Sequence, residues 1–338
     1  MARRFFGTVI ALLFLVFSAE GIKAEAADKV SITVDWILGG YHSGLFAAQD
    51  RGNFARAGLE VAINRGFGSL TTVKQLGAGT VTFGFADMGA LVIGRSRGTN
   101  AKALAVILAR TQYAFFTLKD TGVRRAKDME GKTWACPAGS VVRAVTPALF
   151  LSAQVDANKV KTQVMDAPMM YPSLLAGKVD LVCAFWVDRP ALEKEAKRQG
   201  KEVVDIAFAD YGIDAYSNSL MTSDARIEKQ PDLVRRFVKA ALEGLAFAIE
   251  NPERAVDLFL KHQPSVDRNV ALGQQRIANQ SALTPTAKEK GLGYILEEKV
   301  TSTRDILTKY MKLEVKVPVK DLYTNAFLPS PGIMVKGN

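Results

Sequence analysis

Several aromatic and polar side chains stand just after apolar runs, and their types suit gripping a flat ring more than making bonds. Trp36 follows the run Val30–Asp35, with Tyr41 and His42 close behind, and Trp186 and Asp188 follow Leu181–Phe185. Indole rings offer flat faces for stacking, while a histidine, a serine or a carboxylate can hydrogen-bond a ring's edge. Gly68-Ser69 and Gly139-Ser140 each open a helical stretch. A helix start presents N–H groups and partial positive charge to a ligand. Arg143, in the turn after the second pair, could grip an anion. Each residue also has a plainer reading. Trp36 could cap a core, the Gly-Ser pairs could be ordinary caps, Asp188 could pair with Arg189, and Tyr216 could pack in a connecting segment.

Motifs for catalysis are missing from the chain. No Ser-His-Asp order convinces, and Gly-Ser-Val lacks the flanks of a nucleophile elbow. No glycine-rich phosphate loop and no cysteine metal spacing occurs. With two histidines and two cysteines in 338 residues, a histidine-based zinc site is disfavoured and a disulfide scaffold is ruled out. The expectation is a binding protein, not an enzyme, with no cofactor and no metal.

The elements that must position these groups alternate between strand and helix. Val30–Asp35, Leu59–Asn64, Thr82–Ala86 and Lys102–Leu108 read as strands, with helices over Tyr41–Arg51 and Ser69–Leu76 between them. The pattern restarts at Thr133–Pro137 and runs through a helix from Val141, the strand Lys161–Met165 and the strand Leu181–Phe185. The stretches Ala78–Phe83 and Ala176–Leu181 echo each other, each closing a helix with glycine and opening a strand. This order predicts an α/β fold of two doubly wound lobes with largely parallel sheets. Lobe 1 is expected over residues 27–115 and 219–338, and lobe 2 over 116–218. A two-segment hinge is expected near 113–118 and 217–222. The last third is mostly helical, with Leu233, Val234, Phe237, Val238, Leu242, Leu245 and Ile249 on one apolar face. Ligands of such sheets bind beyond the C-terminal strand ends, so two facing lobes would enclose a cleft.

Hydrophobic residues make up 48% and charged residues 23%, values of an ordinary globular chain. Arg3 and Arg4, the apolar run Phe5–Phe17 and Ala24-Glu25-Ala26 read as a signal peptide over 1–26, cleaved after Ala26. An exported, periplasmic protein is expected. Cleavage removes three bases and two acids and takes the net charge from +10 to +9. The bases are scattered, which disfavours nucleic acid as a partner. Cys136 and Cys183 could bond to each other or remain two buried thiols.

The stretch Asp35-Trp36…His42-Ser43-Gly44-Leu45-Phe46…Arg51-Gly52-Asn53-Phe54 resembles the opening of ABC-transporter solute-binding proteins related to thiamine-pyrimidine synthases. Gly68-Ser69, Phe83-Gly84-Phe85-Ala86-Asp87, Asp128–Lys132, Leu175–Asp180 and Asp210–Tyr216 extend the resemblance over most of the chain. Nitrate, sulfonate and taurine binders share much of this pattern. The resemblance implies a type II periplasmic binding protein that closes on a small heteroaromatic, pyrimidine-like ligand. It would act as a monomer and deliver the ligand to a permease and its ATPase in the inner membrane. It also implies that Trp36, His42 and Asp188 contact the ring. The candidate set is Trp36, Tyr41, His42, Gly68, Ser69, Asp87, Gly139, Ser140, Trp186, Asp188 and Tyr216, with Arg143 as the contact of an alternative sulfonate, nitrate or aromatic carboxylate. Two departures stand out. Ile37-Leu38-Gly39-Gly40 replaces the Pro-Asn of many relatives, and Asp188 stands where pyrimidine binders more often carry glutamate. The cysteine-rich motif of the synthase branch is absent.

Overall fold

The computed structural model describes residues 26–311 and 317–335, so the expected signal peptide lies outside the described residues up to Ala26. Among the described residues, runs of apolar and β-branched residues form ten strands. In chain order these are β1 (Asp28–Thr33), β2 (Leu59–Asn64), β3 (Phe83–Asp87), β4 (Ala101–Val106), β5 (Tyr113–Leu118), β6 (Thr133–Cys136), β7 (Lys161–Val164), β8 (Leu181–Phe185), β9 (Val203–Ala207) and β10 (Asn218–Ser223). They make two five-stranded sheets, ordered β2-β1-β3-β10-β4 and β7-β6-β8-β5-β9. β1 runs parallel to β2 and β3, and β6 runs parallel to β7 and β8. Each sheet has one antiparallel strand in the same place, β10 in the first and β5 in the second. Helices cover both sheets, and the architecture is the two-lobed α/β fold expected from the sequence.

The position of the hinge needs correction. Tyr113–Leu118 and residues 217–222 were expected to cross between lobes. Instead β5 sits inside the second sheet and β10 inside the first, and every residue of β5 is buried. The chain passes between sheets through 107–112 and 208–217, so Tyr113–Phe115 belong to the second lobe, not the first. A strand buried on both faces reads as an unbroken apolar run, which is also how a packed crossing segment reads.

Asp87, one of the candidate ligand contacts, anchors these crossings. Its Oδ1 accepts from the N–H groups of Gly89 (2.7 Å) and Ala90 (3.3 Å), capping the helix Met88–Ser96. The same oxygen accepts from the Tyr113 hydroxyl at 2.5 Å, and Oδ2 accepts from Ser217 Oγ at 3.0 Å. Tyr113 begins the strand that enters the second sheet, and Ser217 precedes the strand that returns to the first. One buried carboxylate thus holds the chain where it leaves and re-enters the first lobe. Burial pushes its carboxyl up to about 7, against the opposing pull of its hydrogen bonds.

The expected apolar face of the helix Pro231–Glu250 is buried throughout, and its Phe237 stacks on Phe83 of β3 with centroids 3.6 Å apart. Burying each such ring is worth about 1.5–3 kcal/mol. The open question of the cysteines resolves as a disulfide. The parallel register of β6 on β8 brings Cys136 beside Cys183, with Cα atoms 5.3 Å apart. Among the described residues no helix is long and apolar enough to cross a membrane.

The lobes touch at two glycines. Leu70 N donates to Gly139 O across the gap at 3.2 Å. A Cβ on Gly68 would lie 2.2 Å from that oxygen, and one on Gly139 would lie 2.3 Å from Thr71 Oγ1. Gly68 also has φ +112, a conformation that other residues rarely adopt. Lys194 meets Asp267 across the same divide at 2.8 Å.

Two outcomes follow from these contacts. Asp87→Ala removes a helix cap and strands the buried Tyr113 hydroxyl, while Ser217 keeps its bond to Asn218, so urea titration should show about 2–4 kcal/mol less stability. Gly139→Ala changes only the surface facing the other lobe. Small-angle scattering should give a larger radius of gyration than wild type while the melting temperature stays the same.

Candidate functional site

A narrow pocket lies between the lobes. Asp35, Trp36, Gly68 and Ser69 line it from the first lobe, and Ser140, Val141, Val142, Cys183, Ala184, Phe185 and Asp188 from the second. These residues form or follow the C-terminal ends of β1, β6 and β8, or stand at the starts of the helices Ser69–Gly77 and Val141–Ser152. This is where α/β sheets bind ligands.

Two carboxylates face this space, one from each lobe. Asp35 was missing from the sequence-derived set. Its signal was present: an acid follows an alternating strand directly before Trp36. Two donors reach its Oδ1, His42 Nε2 at 3.1 Å and the Tyr41 hydroxyl at 3.4 Å. The histidine's protonation follows from geometry. Nδ1 accepts from Gly39 N–H at 3.1 Å, so the ring is neutral with its proton on Nε2, directed at Asp35. Burial and the charge of Asp35 push the Tyr41 phenol well above its ordinary value, so it remains a donor.

His42 is only 1% exposed, and with Tyr41 it lines a separate cavity walled by Leu45, Phe85 and Leu220. Both residues therefore hold Asp35 from behind and are not among the residues that line the pocket, unlike Trp36 and Asp188. The local fold explains their position. Gly40–His42 forms a single 3-10 turn pressed against the helix Arg268–Ala282, where a Cβ on Gly40 would lie 1.9 Å from Ala271 O.

Asp188 ends the short turn Trp186–Asp188 after β8 and is 8% exposed. It does not pair with Arg189, whose guanidinium goes to Glu193 and Asp205. Instead Gln274 reaches over from the first lobe. Its Nε2 donates to Asp188 Oδ1 at 3.2 Å while its Oε1 accepts from Gly40 N–H at 2.7 Å. Burial, then the charge of Asp35, push the Asp188 carboxyl up to about 8, and the Gln274 bond offsets only part of this. Burial, then the charge of Asp188, raises the phenol of Tyr171, which is also absent from the sequence-derived set. Among the described residues no hydrogen bond reaches Oδ2 of Asp35 or of Asp188. Each carboxylate thus keeps one oxygen for a ligand, and no lysine or arginine lines the pocket.

The remaining candidates divide. Trp36, Gly68, Ser69 and Ser140 line the pocket, although Ser69 Oγ also accepts from Asp87 N–H at 3.2 Å. Gly139 lines an outer chamber that shares Trp36 with the pocket. Four others lie elsewhere. Asp87 is the anchor described above. Trp186 carries the Arg189 guanidinium over its ring at 4.8 Å, and Phe185 is the pocket's second aromatic in its place. Tyr216 lines a cavity at the crossings, where its hydroxyl accepts from Leu296 N–H at 3.2 Å. Arg143 does not line the pocket, and its Nη1 is buried without an acceptor among the described residues.

The chain matches the family model described as NMT1/THI5 like over residues 40–255, well over half its length. It is 24% identical over 309 residues to the riboflavin-binding protein RibY of Chloroflexus aurantiacus, covering 89% of this chain and 86% of that one. It is 23% identical over 261 residues to the formylaminopyrimidine-binding protein of Halalkalibacterium halodurans, covering 75% and 77%. A 4-amino-5-hydroxymethyl-2-methylpyrimidine phosphate synthase of Legionella pneumophila matches at 21% over 309 residues, covering 89% and 93%. The alkanesulfonate-binding protein SsuA of Xanthomonas axonopodis pv. citri shares the fold, with a TM-score of 0.69 at 12% identity over 89% of this chain and 99% of that one. Two mixed sheets with one pattern, a pocket between them and a family match across most of both lobes lead to one assignment: the chain belongs to the NMT1/THI5-like family and has the fold of the periplasmic binding proteins.

Proposed function

We propose that the protein is the exported, monomeric solute-binding component of an ABC importer. It closes on a heteroaromatic ring whose edge sets a hydrogen-bond donor beside an acceptor, and hands the ligand to a permease and its ATPase. The observation that carries this reading is the pair Asp35 and Asp188, one carboxylate from each lobe, each with one oxygen free. Asp35, fed by two donors, is held as an acceptor. Asp188, with its carboxyl raised to about 8, carries a proton at neutral pH and can donate. An acceptor beside a donor is what an aminopyrimidine presents, and the pyrimidine-type ring at the end of a flavin has such an edge too. Relatives named for riboflavin and for formylaminopyrimidine support the same class.

Magnitudes agree with enclosure as part of recognition. Micromolar binding needs about 8 kcal/mol. A hydrogen bond to a charged group contributes roughly 1.5–3 kcal/mol, and an aromatic contact about 0.5–1.5 beyond burial. Burial between both lobes must supply the rest. The alternative of a sulfonate, nitrate or carboxylate ligand finds no cation in the pocket wall. Synthase chemistry based on a thiol finds none, because both cysteines of the chain are in one disulfide.

The acid pair gives closure a pH dependence. When the lobes part, Asp188 loses the cover of Gln274 and Asp35 and meets water, where its pKa falls toward the ordinary value of about 4. Closing raises it again, so closure takes up a proton between about pH 4 and pH 8, and affinity falls as pH rises through that window. Calorimetry at pH 7 in buffers of different ionisation enthalpy should show uptake of up to one proton on binding. Asp188→Asn should abolish the uptake, and Asp35→Asn should weaken binding by about 10–100-fold. Arg143→Ala should change it little. An affinity that ignores both aspartates and collapses in Arg143→Ala would refute the reading.

A further inference from the structure

Gln274 stands where the two lobes meet, and its amide bonds to both. Its helix, Arg268–Ala282, belongs to the first lobe and packs along the turn Trp186–Asp188 and the helix Arg189–Arg198 of the second. The side chain is 4% exposed and bonded at both ends. Oε1 accepts from Gly40 N–H at 2.7 Å, and Nε2 donates to Asp188 Oδ1 at 3.2 Å. A backbone N–H can only donate, so the amide oxygen must face Gly40 and the nitrogen must face Asp188. Oδ1 of Asp188 is therefore an acceptor, and a proton on this carboxyl belongs to Oδ2, the oxygen left for a ligand.

Gly39 N–H acts on the other acid in the same way, since it fixes His42 as a donor to Asp35. Two successive amides of one turn thus set the polarity of both carboxyls. The glycines also make room for this arrangement. A Cβ on Gly39 would lie 2.8 Å from Gln274 Oε1, and one on Gly40 would strike the backbone of Ala271. Among the described residues no other hydrogen bond reaches the Asp188 carboxyl, and no cation lines the pocket. The phenols of Tyr41 and Tyr171 stay protonated through burial. We propose that Gln274 is the positioning residue that gives the site its direction: held by Gly40 N–H, it commits the free oxygen of Asp188 to donate while Asp35 accepts, and it does so only when the lobes meet. A ring must then enter with its acceptor toward Asp188 and its donor toward Asp35. This inference rests on the acid-pair reading above and names the residue that sets the polarity of that pair.

The test is calorimetry at pH 7 with two neutral rings. One is 4-amino-5-hydroxymethyl-2-methylpyrimidine, with a donor beside an acceptor, and the other is 1,2-diaminobenzene, with two donors side by side. Wild type should bind the pyrimidine at least about tenfold more tightly. Gln274→Glu keeps the length of the side chain and an oxygen for Gly40, but presents a second oxygen to Asp188. The two carboxyl groups then share one proton, and Oδ2 of Asp188 turns from donor to acceptor. The affinity ratio should shift toward the diamine by about tenfold or more. Gln274→Met removes both bonds and frees the Asp188 proton to sit on either oxygen, so the preference should narrow to within about threefold. A residue that merely bridges the lobes, or repulsion from the added charge, would change both affinities together and leave their ratio alone. Melting temperatures check that the variants fold. A ratio that keeps its wild-type value in the folded variants overturns the inference and leaves the acid pair standing. If wild type binds neither ring, or binds both alike, the acid-pair reading itself fails, and the inference fails with it.

Discussion

Two carboxylates on opposite lobes meet in one desolvated pocket, and this conflict governs the molecule. Like charges out of water cannot both remain ionised at low cost, so one must hold a proton or find a partner. The structure separates their roles. Asp35 is supplied with donors from His42 and Tyr41, while Asp188 has one amide and a carboxyl raised to about 8. The result is an acceptor facing a donor, an asymmetric pair built from identical side chains. It forms only when the lobes are together, because Gln274 and Asp35 belong to one lobe and Asp188 to the other.

The rest of the fold keeps those lobes in register. Asp87 secures both crossings at one point, joining the hydroxyls of Tyr113 and Ser217 to a helix start. The disulfide between Cys136 and Cys183 ties β6 to β8 beneath the pocket, next to the strand end that carries Asp188. On the far side of Trp36 the approach is limited by Gly68 against Gly139, where side chains would collide. In the proposed closure these devices would act at different places, as a pivot, a floor and a bare contact edge.

Much of this was legible in the sequence, because period and punctuation encode local structure. The strands, the two lobes, the buried face of Pro231–Glu250 and the helix starts after Gly68 and Ser140 follow from alternation and turn residues. What was illegible depends on distant partners. Nothing local distinguishes Asp87, which bonds to Tyr113 and Ser217, from a ligand contact, and nothing near Asp188 announces Gln274, 86 residues away in sequence. His42 looked like a ring contact because it stands at a strand-to-helix junction, but its two nitrogens are already committed to Gly39 and Asp35. Asp35 has the look of a polar end to an alternating stretch, and only the fold brings the donors His42 and Tyr41 onto it.

The most direct test of the acid pair as a reader of neutral ring edges is to identify what the protein carries. Protein purified from its host without added ligand is denatured, and the released small molecule is identified by mass spectrometry before and after prolonged incubation with the folded protein. The account predicts a heteroaromatic compound with a donor beside an acceptor on its ring, identical in mass at both times. A sulfonate, nitrate or other anion, or a compound converted during incubation, would contradict it.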